Sequence, residues 1–573
     1  FAVPEFPVAI SLGELAIPSV IFGQSVFGLA AEVELKGNLQ LEGGNLQTGL
    51  DIVRLDGPGG TLDLTIDYKK ADNSIALDLS LVEPENGVIA NLLNIENKPA
   101  VTLTLKGNGP VADLRTELAL QANDQLALSG VATIAQSAAG FAINADLGGP
   151  LSMLLAEPYR PFFGANTALS ARALLRAEGG LSLEALQLSG GQLRLQATAE
   201  TTTDYFLKTL VLDAAIADPA GGVVTLPVPG TTTRVGSAQF NIDFGRDGSE
   251  DWASNLAIAN FETSGFGARD LSFKIGGVAS NLSDPSTRRV TFNGDGALSG
   301  LAAAEEIVAA LGDSVGLGIA GLWNAGQPVE LAQLRIAGGV LSAALSGQLD
   351  GLDFNGEIAV ETASIAPFSG MAGRDLQGAL SLKASGDILP LTGGFDLTLD
   401  GTGTDLSIGD DLADRLLTGM VDLSGRLART TEGLIADNFR LANDQVQLLA
   451  DGNYSTELAD FKFNLDLADL ALLSDEASGK LSVVGTAKGV EKVIDLDLDA
   501  SVANGTLSDR ALRNGTIGFS GRYNVDRLDG AISGSAELDS HRTALKGDVA
   551  VNSVQQALTN LDFTAVGTSI SGG

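Results

Sequence analysis

The chain of 573 residues has no cysteine and one histidine, His541. Disulfides, thiolate metal sites and cysteine nucleophiles are therefore excluded, as is any cluster of imidazole ligands. Aromatic residues are scarce, at 5% of a chain that is 45% hydrophobic. The apolar surface is thus mostly Leu, Ala, Val and Ile, without the large rings that usually fill a core. Cations are few as well: Lys+Arg number 35 against Asp+Glu 71, a formal charge of -36. Such a field repels phosphate backbones, and no basic run exceeds the pair Arg288 and Arg289, so nucleic acid is excluded as a partner. Long apolar runs are missing too. The opening "FAVPEFPVAISLGELAIPSVIFG" is broken by Pro4, Glu5, Pro7, Glu14 and Pro18, short of the roughly 20 apolar residues of a spanning helix. Because the sequence opens on Phe1, we read it as a fragment whose targeting and anchoring parts lie elsewhere.

Motifs that match in letters fail in context. "LSGGQ" at 188–192 is the signature with which ATP-binding-cassette ATPases close over nucleotide, but it works only opposite a Walker A loop. No such loop exists; Gly479 and Lys480 are followed by leucine. "GLGIAG" at 316–321 matches a dinucleotide fingerprint without the strand before it and helix after it, and reads as a glycine-rich turn. Ser540 and His541 are adjacent, so on a strand they face opposite sides and cannot act as nucleophile and base. The acidic loop "DFGRDGSEDW" lacks the spacing of a helix-loop-helix calcium site. The expectation is a non-enzyme with no nucleotide, cofactor or metal.

What the chain has in abundance is strict alternation. In "TLDLTIDY", Leu62, Leu64, Ile66 and Tyr68 point one way and Thr61, Asp63, Thr65 and Asp67 the other. The pattern recurs at Ile75, Leu77, Leu79 and Leu81; at Val101, Leu103 and Leu105; and at Phe395, Leu397 and Leu399. It returns at Phe461, Phe463, Leu465 and Leu467, and at Ile494, Leu496, Leu498 and Ala500. Turn chemistry separates the runs in "DGPGG", "KGNGP", "DPAGG" and "ARTTEG". Helical patterns are few: "NGVIANLLNI", "GPLSMLLAEPYRPF", "LAAAEEIVAAL" and "IGDDLADRLL". A parallel sheet would need a crossover helix after nearly every strand, so the sheet is expected to be antiparallel.

The Gly-Gly pairs read as hairpin turns, because both positions accept positive φ. With Gly190 and Gly191 as the turn, Leu188 faces Leu193 and Leu186 faces Leu195, every leucine on one face. The same arithmetic pairs Leu41 with Leu46 about Gly43 and Gly44, and Ile336 with Leu341 about Gly338 and Gly339. The three pairs lie 147 and 148 residues apart.

Many strands with one apolar face, no periodic linkers and few rings argue against stacked sandwiches. The fold expected over residues 1–573 is all-β: a long, continuous, mostly antiparallel twisted sheet curled into an elongated hydrophobic groove, β-taco-like, with a few short helices. A bare groove would expose more apolar area than a protein in water tolerates, so it should be filled. Phospholipid acyl chains fit a wall of Leu, Val, Ile and Ala. The groove candidates are Leu62, Leu64, Ile66, Ile75, Leu77, Leu79, Val101, Leu103, Leu105, Phe395, Leu397, Leu399, Phe461, Phe463, Leu465, Leu467, Ile494, Leu496 and Leu498.

The ordered set "LDGPGGTLDLTIDY" (55–68), "EPENGVIANLLNIENKPAVTLTLKGNGPVADLRTELAL" (83–120), "EPYRPFFG" (157–164) and "ADPAGGVVTLPVPG" (217–230) resembles the TamB family. These are inner-membrane subunits of the translocation and assembly module, within the AsmA-like, bridge-like lipid transfer group. The resemblance covers about the first 240 residues; beyond them only the strand grammar agrees. It implies a periplasmic β-groove tethered to the inner membrane by a single-pass anchor. A C-terminal domain would dock on an outer-membrane barrel partner, TamA, with anchor and docking domain outside this fragment. Its expected role is to conduct phospholipids between the membranes and support outer-membrane biogenesis. The alternative is a scaffold for autotransporter and outer-membrane protein insertion through strand-edge pairing with TamA. A surface adhesin of stacked sandwiches ranks third.

Overall fold

In a computed structural model, the described residues are 9–572 apart from 24–28, 58, 93–94, 96, 229–230, 432, 456–458, 491–492, 525–526, 553–555 and 566–567. The chain is all-β, with 69% of residues in strands and 8% helical. Its sheet is antiparallel and not closed, as the alternation predicts. The chain divides into two compact units, one of residues 1–302 with 324–326, the other of residues 303–323 with 327–573.

Each unit is a meander in which nearly every strand pairs with the next. In the first unit, Leu50, Leu64, Leu79 and Leu105 stand opposite one another on four successive strands, with Asp51, Asp63 and Ser80 on the other face. In the second, Leu448, Leu465, Val483 and Ala500 do the same. Glycine often takes the cross-strand place on the apolar face, and an aromatic ring then covers it. Phe463 faces Gly485, Phe461 faces Gly452 and Phe273 faces Gly296. A Cβ at those three glycines would lie 2.2, 2.7 and 2.5 Å from the facing ring. The rings lie along the wall because no side chain opposes them there.

The sheet of the first unit curls. The strands Leu207–Ala217 and Arg289–Ser299 are four steps apart, about 19 Å on a flat sheet. Yet Arg288, 7% exposed, donates to both carboxylate oxygens of Asp204 at 2.7 and 2.5 Å. Its guanidinium lies 4.0 Å over the ring of Phe206 and its Nε donates to the Leu282 carbonyl. This clamp fastens together the ends of strands that a flat sheet would hold apart. At the other strand end, Phe162, Val224 and Val235 form a buried cluster with Leu193, Ile216 and Ile258, gathered from the apolar face of three strands.

The helical segments are ordered by direction. In the first unit, Val88–Leu92 and the run Leu151–Leu154, Glu157–Tyr159 and Arg160–Phe163 follow strands that point the same way, four strands apart. The hairpin of Val224–Leu226 and Thr233–Val235 comes four strands later again. In the second unit, Glu305–Leu311, the pair Ala366–Phe368 and Ser369–Ala372, Asp411–Leu416 and Leu470–Leu472 follow strands that run the same way, spaced by four, two and four strands, and so share one rim. Four of these match the sequence-predicted helices, although the "GPLSMLLAEPYRPF" run is broken by Pro150, Pro158 and Pro161 into short turns. Part of "NGVIANLLNI", 93–94, lies outside the described residues. Segments 366–372 and 470–472 have too short an apolar period to be found by pattern.

The Gly-Gly pairs divide into two kinds. Gly43 and Gly44, at φ 59° and 80°, form the expected two-residue turn with Leu41 opposite Leu46. Gly190 and Gly191 do not. Leu188 faces Leu195 and Leu186 faces Ala197, a register two residues wider than expected, which keeps each leucine on its face. Nor does Ile336 face Leu341: it faces Ala343, and Gly338 faces Leu341. The reason is a neighbour that the local sequence does not show. Gly191 and Gln192 donate to the carbonyls of Phe163 and Phe162, and Val340 donates to Ala310. The tips of the preceding helical segments therefore rest on these turns. Gly164 and Gly312, both left-handed in φ, end those segments, and the whole arrangement repeats at a 148-residue offset. Other corrections are local. "GLGIAG" lies inside the strand Ser314–Asn324 and not in a turn, and "KGNGP" completes the strand Val101–Pro110.

A Cβ at Gly338 would fall 2.5 Å from the Leu311 carbonyl, and one at Gly43 would meet nothing within 4 Å. Gly338→Ala is therefore expected to lower stability by about 2–3 kcal/mol. Gly43→Ala, strained only by its φ, is expected to cost about 1 kcal/mol. Urea unfolding checks both values, and hydrogen exchange in Glu305–Leu311 should rise for the first variant alone.

Candidate functional site: the apolar face of the sheet

The predicted groove residues divide between the two units. In the first, Leu62, Leu64 and Ile66 stand between Ile52, Leu50 and Thr48 on one side and Leu81, Leu79 and Leu77 on the other. Ile75, Leu77, Leu79, Val101, Leu103 and Leu105 continue that face. In the second, Phe395, Leu397 and Leu399 oppose Ile388, Gly386 and Ala384. Phe461, Phe463, Leu465 and Leu467 oppose Gly452, Ala450, Leu448 and Val446. Ile494, Leu496 and Leu498 oppose Gly489, Ala487 and Gly485. Each set shares the apolar face of its own unit.

Most of these side chains are half-buried. Only Val101, Leu399 and Leu467 among them count with the core. Their shelter is mainly the neighbouring strands; among the described residues other segments pack on the face only locally, as Ala90 and Ile95 do on Val101. The area confirms this. The chain exposes 31805 Å², whereas a compact protein of 58.6 kDa would expose about 19,000 Å² and two compact bodies of half that mass about 23,000 Å². The excess is surface that an ordinary core would have closed.

The opposite face is wet and acidic. Its cations are mostly consumed in cross-strand pairs: Lys106 with Asp78 at 3.1 Å, Arg426 with Asp396 at 2.7 Å and Arg522 with Asp495 at 2.6 Å. The guanidiniums of Arg426 and Arg522 hold the carboxyls of Asp396 and Asp495 below the usual range. Most remaining carboxylates face water. Concavities on this face are shallow; one of about 700 Å³ has Ser342, Glu361, Ser381 and Thr402 on its floor.

A few polar groups occur at the ends of the apolar face, and alternation alone did not single them out. Glu83, 7% exposed, spends both oxygens on the amides of Val88 and Ile89, at 2.9 and 2.7 Å, and so seats the helix Val88–Leu92. Arg54 donates from Nε and Nη2 to Asp56, each at 3.1 Å. That pair, with the Glu32 amide, pulls the Asp56 carboxyl down to about 2. Ser189 of "LSGGQ" ends a strand opposite Arg194, with no helix N-terminus beside it. Among the described residues no group of His, Asp and Glu is placed to hold a metal ion, and no helix is long and apolar enough to cross a membrane. Comparison with family models and with curated proteins finds no match.

Two outcomes follow. Ser189→Ala is expected to leave stability within about 0.5 kcal/mol of the parent, and ATP to leave the melting temperature of both proteins unchanged. Asp56 has a lowered folded-state pKa, so its contribution is complete above its unfolded value near 4 and fades as pH falls towards 2. Hydrogen exchange at the Glu32 amide, which donates to Asp56 at 2.7 Å, should accelerate over that window. In Asp56→Asn it should already be fast at neutral pH.

Proposed function

We propose that the apolar face is a conduit for phospholipid acyl chains, whose head groups stay in water while the tails slide along the wall. The observation that carries this reading is the open face itself: among the described residues, row upon row of half-buried aliphatic side chains in each unit, covered by other segments only near the strand ends. Apolar surface left in water costs about 25 cal/mol per Å², so an occupant that covers it is favoured. Acyl chains are aliphatic and shape-tolerant, which matches a wall of Leu, Val, Ile and Ala whose rings lie flat on glycines.

In this reading the chain is a periplasmic part of a TamB-like protein, tethered to the inner membrane. It passes phospholipid towards the outer membrane with a TamA-like barrel as partner, and it performs no chemistry. The sequence resemblance and the one-sided sheet support it. A scaffold that templates outer-membrane proteins would work through strand edges and would make no use of the aliphatic rows.

The conduit requires that the two faces behave differently. Leu64→Glu and Leu496→Glu place a carboxylate among half-buried leucines and are expected to block lipid delivery while circular dichroism shows the sheet intact, because a charge in hydrocarbon costs several kcal/mol, on the order of 3 or more. Asp63→Lys and Asp497→Lys, on the wet face, should have little effect. Photo-crosslinkers at Leu64 and Leu496 should capture phospholipid in cells, and those at Asp63 and Asp497 should not. Equal labelling of both faces, or full delivery by the glutamate variants, sinks the conduit in favour of the scaffold.

A further inference from the structure

One stretch of the second unit's apolar face is roofed. The strand Val493–Leu507 outruns its neighbour Leu481–Val490, which pairs with it only up to Val502. Its free end is taken up by the short strand Ala477–Ser478, with Ala477 opposite Leu507 and Ser478 opposite Thr506. The turn Leu470–Leu472 precedes that strand and is held over the face by Asp469, which accepts from the amides of Ala471 and Gly479 at 3.1 and 2.8 Å. Beneath Leu470 and Ala477 lies a cavity of about 350 Å³, floored by Leu481, Val502, Ile517 and Leu545. Its walls are almost wholly hydrocarbon, unlike the shallow polar concavities of the other face.

At the end of this cavity two nitrogen-bearing side chains stand on the apolar face. Leu507, Leu512 and Leu538 line it there. Arg510 stands opposite Leu507 and His541 opposite Leu538, so both share the apolar face with the leucines that they adjoin. His541 is the only histidine of the chain. Both side chains are exposed, and Arg510 keeps only a long contact of 3.9 Å to Asp539. Asp539 in turn is engaged with the Ala511 amide at 3.0 Å. Of the other charges nearby, Arg513, Glu537 and Arg542 stand opposite one another on the other face, while Asp509 and Glu476 lie at the same strand end as Arg510. In a chain of net charge -36, two nitrogen donors beside a hydrocarbon cavity form an amphipathic site of the sign that fits an anion on an apolar tail.

We propose that this cavity is a holding site for one acyl chain of an anionic phospholipid, with the head-group phosphate on Arg510 and His541. The site rests on the conduit reading and refines it: along the open wall a tail is held by area alone, whereas here Leu470 and Ala477 cover part of it and its head group is paired. A lipid should therefore dwell here longer than elsewhere on the face.

The test uses the purified chain and vesicles of phosphatidylethanolamine containing phosphatidylglycerol with a photoreactive group at the end of one acyl chain. Peptide mapping should place the adducts mainly within 500–545, one per chain. Ala536→Trp, which fills the cavity, should cut labelling there by about tenfold while a crosslink at Leu64 persists. Arg510→Gln combined with His541→Gln, both at exposed positions that leave the wall intact, should lower phosphatidylglycerol labelling by about fivefold. Labelling by a diacylglycerol probe, which has the tails without the phosphate, should be weak and indifferent to the double variant. Adducts spread evenly along both units would overturn the holding site and leave the conduit standing. A diacylglycerol probe labelling as well as phosphatidylglycerol would remove the head-group role and overturn the proposal as stated. No adducts anywhere would overturn both.

Discussion

A β-sheet with one apolar face must cover that face, and among the described residues no second sheet or continuous helical layer does so, only short segments near the strand ends. The rest of the architecture answers to that constraint. Successive strands repeat the same alternation, so the apolar rows continue from strand to strand and leave no place for a conventional core. Among the largest fully buried side chains are Val101, Val224 and Val235, all at strand ends or in a capping hairpin. Burial is concentrated at the rim, and the middle of each strand stays half-open.

The helical segments make sense as rim structure. They are too short to be stable alone and owe their place to tertiary support. Glu83 caps one, Asp410 caps another by accepting from Leu412 and Ala413, and Gly-Gly turns receive the tips of two more. Asn443 does the same work with its side chain, donating to the Leu416 carbonyl at 2.8 Å at the end of Asp411–Leu416. Two different chemistries, glycine backbone and asparagine amide, thus satisfy the same orphan carbonyls.

Much of this was legible in the sequence. Alternation at Leu62, Leu64 and Ile66, or at Ile494, Leu496 and Leu498, depends only on side-chain periodicity and survives any error of register by two. That is why the candidate rows keep to one face of the sheet within each unit although two of three Gly-Gly registers shifted. What the letters did not show was the cause of the shift. A glycine needed for positive φ and one needed for close approach look alike, and only the second depends on a helix that ends 27 residues earlier, at Phe163 or Leu311. The roof over the cavity was hidden for a related reason: Leu470 and Ala477 belong to segments too short to carry a period, and Leu507 lies beyond the alternating run of its strand. The position of Arg510 on the apolar side also required knowing the register at the turn, since alternation read from the strand centre does not carry across the positive-φ residue Asn514, whereas His541 follows from its period of two with Thr543 and Leu545.

The excess of carboxylates on the wet face has a mechanical consequence. Like charges fixed to one side of a thin sheet repel, and they move apart when the sheet bends so that their side becomes convex. Hydrocarbon on the other side gains by being drawn together. The two faces therefore exert bending moments of the same sense, as the two metals of a thermostatic strip do, and the curl that the Arg288 and Asp204 clamp fastens is already favoured by the distribution of charge. Because electrostatic repulsion is screened within about 10 Å at moderate ionic strength, salt relaxes one of these moments and leaves the other in place.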